Sequence, residues 1–162
     1  MTLELKDVCL SNVGSQSADS LSFIVRAGEV KQLLANMSWV EEKRNEPEPV
    51  FSAIMGLQPI CQGYITIDGE LVNERSAETL RKFMSYVPRQ VCWPDEEKNQ
   101  LPTDEMHRLL LEGATTDQKP IVLVECITLE DDLPLCERMA AAGAAVVMTI
   151  PNQNNDISLS VE

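Results

Sequence analysis

Residues Leu3 to Leu10 alternate apolar and charged positions, the two-residue period of a strand with one buried face. A turn-rich stretch, "SNVGSQSADS", follows, and "LSFIVRAGEV" resumes the alternation until Ala27-Gly28 breaks it. "VKQLLA" is a short apolar run that predicts a third strand. After a charged loop from Asn36 to Pro49, the apolar positions change period. Val50, Ile54 and Leu57 fall on one side of a helix that Gly56 helps to end. "GYITIDGELV" returns to alternation, and Asp68-Gly69 supplies the positive φ angles of a tight hairpin turn. Ser76 is placed to cap a short helix over Ala77 to Phe83, with Glu78 complementing the dipole. "MSYVP" predicts a short strand stopped by Pro88.

The second half is plainer. Thr103 is placed to cap a helix that reaches Leu111, with Gly113 as its stop. "PIVLVECI" is continuously apolar and rich in β-branched residues, as befits a central parallel strand covered on both faces. Asp132 is placed to cap a helix over Leu133 to Ala142, with Pro134 in its first turn and Gly143 at its end. "AAVVMTI" reads as a second covered strand and "ISLSV" as a final edge strand. Antiparallel strands followed by alternating β and α elements predict an α/β fold: a parallel sheet core flanked by helices, with a small N-terminal antiparallel β region.

Composition narrows what such a fold can do. The 162 residues suffice for one domain spanning 1–162, and 44% hydrophobic content supports a core. Aromatic residues are 4%, too few for base-stacking platforms. The balance of 13 basic against 26 acidic residues repels phosphate backbones and anionic membrane surfaces, so no nucleic-acid partner and no direct membrane insertion are expected. The longest apolar run, Met139 to Ile150, falls short of the ~20 residues of a membrane helix. Five cysteines without a C-x-x-C pair, and one histidine, argue against zinc and for free thiols in a cytoplasmic setting. The acids at Glu41-Glu42, Glu46 and Glu48, at Asp95-Glu96-Glu97, and at Glu130-Asp131-Asp132 read as solvated loops or helix starts. His107 reads as a surface residue at the border of a helix whose buried side holds Met106, Leu109 and Leu110. Cys126 and Cys136 read as packed thiols.

In order, "SFIVRAGEV", "AIMGL", "GYITIDGELV", "YVPRQ", "IVLVECITLEDD" and "AAAGAAVVMTIP" resemble the ATPase domain of ATP-binding cassette (ABC) transporters over about residues 3 to 150. The resemblance implies a P-loop NTPase-like sheet, and it exposes departures. A phosphate loop needs glycines, a lysine and a Mg²⁺-binding hydroxyl. Here "ANMSWVEEKRNEPEP" offers Lys43 and Arg44 among four acids, two prolines without N–H donors, and bulky Trp39 and Val40. Glu125 stands at the Walker B aspartate, Cys126 at the glutamate that polarises water, and Ile150 at the switch histidine. Arg89 holds the place of the Q-loop glutamine, with Gln90 one residue late. No aromatic ring lies between Asn12 and Ser20 to stack adenine. Only residues 91 to 120 stand where the family has its helical subdomain and the Leu-Ser-Gly-Gly-Gln signature, so that subdomain is largely deleted.

The expectation is a degenerate ABC-ATPase-like module without catalytic residues or cofactor, acting through a protein partner or self-association. Two alternatives stand beside it. An atypical ATP-binding subunit of an ABC transporter would use Lys43, Arg44, Gln90 and Glu125. A metal-dependent enzyme on the same frame would use Glu125, Asp131 and Asp132, at the carboxyl end of a central strand.

Overall fold

The computed structural model describes residues 1–10, 20–35, 47–89 and 103–151. The described residues form eight strands in two sheets. The antiparallel sheet runs in the order β2 (Leu21–Val25), β1 (Leu3–Leu10), β4 (Ile60–Ile67), β5 (Glu70–Leu71). The parallel sheet runs β3 (Val30–Leu34), β8 (Ala145–Ile150), β7 (Ile121–Glu125), β6 (Met84–Val87). Helices α1 (Pro49–Ile54), α2 (Ala77–Arg81), α3 (Thr103–Asp117) and α4 (Leu129–Ala141) complete the described elements. This is the predicted mixed α/β architecture, with α3 the helix described between β6 and β7.

The alternation in β1 carries an irregularity that the sheet corrects. Leu3 and Leu5 point inward, so an unbroken strand would bury Asp7. Asp7 instead adopts φ 50°, the register slips between Leu5 and Val8, and Val8 takes the inward place. Gly63 on β4 makes this possible: with φ 82°, a Cβ there would sit 2.2 Å from the Asp7 carbonyl oxygen. The Asp68-Gly69 turn is formed as expected, with φ of 52° and 84°.

Strands β7 and β8 are buried along their whole length, as continuous apolar runs require. Their alternate residues serve two cores. Ile121, Leu123, Ala145 and Val147 meet the inner face of the antiparallel sheet (Leu3, Leu5, Val25, Ile65, Ile67) and Phe51 and Ile54 of α1. Val122, Val124, Val146 and Met148 meet Leu111 and Ala114 of α3 and Cys136, Met139 and Ala140 of α4. The carboxyl ends of the parallel strands are thus walled by α1 on one face and by α3 and α4 on the other.

Several helix boundaries differ from the sequence reading. Helix α1 starts at Pro49, whose ring suits the first helical position, and ends at Ile54, before Leu57. Ser76 makes no cap bond to α2; its Oγ donates to the Leu71 carbonyl instead, tying the helix to β5, and α2 stops at Arg81. Helix α3 begins at Thr103 itself and passes through Gly113, because Leu111 and Ala114 on either side are packed against β7; it ends where Gln118 turns left-handed at φ 55°. Helix α4 starts four residues earlier than Leu133, with Thr128 rather than Asp132 preceding it, so Pro134 lies inside the helix beyond the first turn. The predicted "ISLSV" strand lies outside the described residues.

Candidate functional site

Glu125 ends β7, the place where α/β sheets present ligand-binding groups. Its carboxylate is 4% exposed and fully engaged by the protein itself. Oε2 accepts from the Tyr86 hydroxyl at 2.7 Å and from the Glu48 backbone N–H at 2.9 Å. Oε1 accepts from the Arg89 backbone N–H at 3.1 Å, with Arg89 Nη1 4.0 Å away. Arg89 also reaches across: Nη1 and Nη2 each lie 3.3 Å from Glu48 Oε2, and Nε donates to the Cys126 carbonyl at 3.2 Å. One guanidinium therefore bridges two buried carboxylates, the arrangement in which each ion's loss of water is offset by charge-assisted bonds.

Local structure delivers each member. Tyr86 sits on β6 with its ring edge-on to Phe51 of α1, centroids 6.1 Å apart and planes at 75°. Arg89 follows Pro88, which ends β6. Glu48 immediately precedes α1, and its carbonyl accepts from the N–H groups of Phe51 and Ser52. Burial first, and then the negative charge of Glu125 and the bond to it, push the Tyr86 phenol far above its usual range, so it stays a donor. Thr149 pairs with Glu125 across β8 and β7; its buried hydroxyl has no hydrogen-bond partner among the described residues.

A second polar cluster lies on the opposite face. His107, 2% exposed, places Nε2 2.9 Å from Asp132 Oδ2 and Nδ1 2.8 Å from the Pro88 carbonyl. Asp132 Oδ2 also accepts from the Ile127 N–H at 2.9 Å. Burial pushes the Asp132 carboxyl up, but the bonds from His107, Ile127 and the Cys126 thiol outweigh it and hold the group below its ordinary range. Burial, then the Asp132 charge, raise both thiols: Cys136 is pushed up to about 12, and Cys126 higher still. Both cysteines are packed in the core, as expected.

No family model matches the chain, and no curated protein matches its sequence. Solved structures do. An ATP-binding subunit of an ABC transporter superposes with TM-score 0.69 at 14% identity, over 93% of this chain and 80% of that one. The chain has the fold of an ABC transporter ATP-binding subunit. A putative ABC transporter ATP-binding protein from Pyrococcus furiosus gives 0.66 at 10% identity, over 96% of this chain and 94% of that one. cbiO1 from Clostridium perfringens, part of the ABC transporter complex cbiONQ, gives 0.64 at 12% identity, over 96% and 80%.

On this ABC-type frame the sequence reading placed Glu125 and the buried thiols well and misplaced two acids and the histidine. Glu48 and Asp132 are not solvated: they are 3% and 5% exposed, because Arg89 and His107 partner them. His107 lies on the core stripe of α3 with Leu111 and Ala114, whereas Leu109 and Leu110 are exposed. The signal was available. Residues 107, 111 and 114 on one helix, and 132, 136 and 139 on the other, are each a stripe of helical spacing headed by a polar residue. Lys43, Arg44 and Gln90 lie outside the described residues. Glu125 meets neither Asp131 nor Asp132 in a metal-binding group; none of three such side chains occurs among the described residues. No described helix is long and apolar enough to cross a membrane.

Proposed function

We propose that this chain is a non-hydrolysing ABC-ATPase-like module, a pseudo-ATPase that works through a protein partner or a second copy of itself in the cytoplasm. The observation that carries the reading is the Glu125 carboxylate: three N–H and O–H donors of its own chain are bonded to it, and Arg89 stands between it and Glu48. A carboxylate so occupied has little left to offer Mg²⁺ or an attacking water. Cys126, with its thiol proton held tightly by burial, is a poor general base at the next position. Ile150 at the switch-histidine place has no group to touch a γ-phosphate.

Thermal unfolding with increasing Mg-ATP tests this. A site of micromolar affinity at millimolar ligand would stabilise the fold by about 4 kcal/mol. The expected result is no saturable shift and no release of inorganic phosphate. A saturable shift would establish the alternative of an atypical ATP-binding subunit, with Lys43, Arg44, Gln90 and Glu125 as its ligands. A shift with magnesium or manganese alone, abolished in Glu125→Gln, would establish the metal-dependent alternative.

A further inference from the structure

We infer that His107 is a proton-operated bolt that holds Arg89 in its bridging position. The inference rests on reading Arg89 as the internal occupant of the site. Both ring nitrogens of His107 face oxygen atoms that only accept. Nδ1 meets the Pro88 carbonyl, which has no hydrogen to give. Nε2 meets Asp132 Oδ2, which already accepts from Ile127 N–H and so acts as a carboxylate. Only a ring that carries both hydrogens, the imidazolium form, satisfies both oxygens at once. A neutral ring satisfies one oxygen and turns a lone pair on the other, leaving an acceptor without its hydrogen.

The surroundings decide which end lets go. Asp132 on α4 is the charged partner, and the Cys126 thiol at the end of β7 donates to it. Arg89, after β6, is a fixed cation on that side, with its Nε on the Cys126 carbonyl. On α3 itself, Glu105 and Arg108 flank the ring, and Asp131 lies at the start of α4. A cavity of about 580 Å³, bordered by these last three residues with Thr128 and Leu135, lies beside the ring and gives protons a route. The carboxylate attracts the remaining ring proton more strongly than a carbonyl does, so the bond to Pro88 is the one lost. Pro88 is joined directly to Arg89, whose backbone N–H binds Glu125 and whose guanidinium binds Glu48. Losing the ring proton therefore loosens the segment that closes the site.

The chain has one histidine, which makes the test clean. Long-range ¹⁵N spectra of the ring in the full chain, from pH 5 to 9, report both nitrogens. The expected result is two protonated ring nitrogens at neutral pH, and an Arg89 Nε–H signal that moves in step as one proton leaves. His107→Gln, folded by its amide spectrum, is expected to show the high-pH Arg89 signal at every pH. A neutral ring tautomer at pH 6 or below overturns the inference. So does an Arg89 signal that ignores the ring's titration, which the wild-type protein alone can reveal if the variant does not fold. None of these readouts involves nucleotide, so failure here is distinct from a positive Mg-ATP titration.

Discussion

The two polar clusters at the carboxyl end of the parallel sheet solve one problem in different ways. On the α1 face, two carboxylates share Arg89, and two backbone N–H groups and a phenol complete the bonding of Glu125. On the α3–α4 face, one carboxylate is matched to one imidazole and one backbone N–H. The first cluster depends on a guanidinium, which keeps its charge under all ordinary conditions. The second depends on an imidazole, a side chain that can give up the proton a guanidinium keeps. The difference teaches that burial alone does not make a site rigid; the chemistry of the cation decides whether conditions can open it. The clusters are joined through the Pro88-Arg89 dipeptide, so what loosens the second reaches the first.

Removing the shared cation should separate them most sharply. Arg89→Ala leaves Glu48 and Glu125 buried with no cation between them. Breaking a buried pair from one side costs about 3–5 kcal/mol, and Arg89, 15% exposed, belongs near the lower figure. Urea denaturation at neutral pH measures it. A loss below about 1 kcal/mol would mean that water already screens the bridge.

The next effect belongs to Asp132. Asp132→Asn keeps the shape and removes the charge opposite His107, for an expected loss of about 2–3 kcal/mol. Its pH dependence has a fixed sign. The folded carboxyl is held below its ordinary range, so its contribution is complete above about pH 4 and disappears as pH falls through the lower folded value. Wild-type stability should therefore drop on acidification below about pH 4, and the Asn variant should drop less steeply. Equal slopes in parallel denaturation series would show that other carboxylates dominate acid unfolding.

Strands β7 and β8 were readable because their burial is continuous, and β2 and the end of β4 because their inward positions alternate; neither pattern needs knowledge of what lies opposite. The bulge at Asp7 was not, since it depends on Gly63 of another strand admitting the Asp7 carbonyl. Gly113 misled for a related reason: its intrinsic cost in a helix is about 1 kcal/mol, and the packing of Leu111 and Ala114 outweighs it. Glu125 could be placed by its strand alone. The burial of Glu48, Asp132 and His107 could not be read from local composition, because each owes it to a partner 25 to 41 positions away.

Tyr86→Phe tests the redundancy of the Glu125 cage. The ring keeps its edge contact with Phe51 and loses one of three donors to Glu125. Bonds to charged groups contribute about 1.5–3 kcal/mol, and the remaining backbone donors place this loss near 1.5. A larger loss would make the phenol, rather than the backbone, the main support of the carboxylate.

The smallest expected effect has the opposite sign. Thr149 lies beside Glu125 in the sheet, 1% exposed, and its hydroxyl has no partner among the described residues. Val matches its shape and β-branching without the polar atom. Burying a hydroxyl that makes no bond is unfavourable, so Thr149→Val should leave the fold as stable as before or raise it by about 1 kcal/mol. Denaturation of the two proteins side by side decides it. A loss of 1 kcal/mol or more would mean that the hydroxyl is bonded in solution, by water or by a residue of the chain. The polar network would then continue from Glu125 on to β8, and the α1-face cluster would be larger than its four side chains.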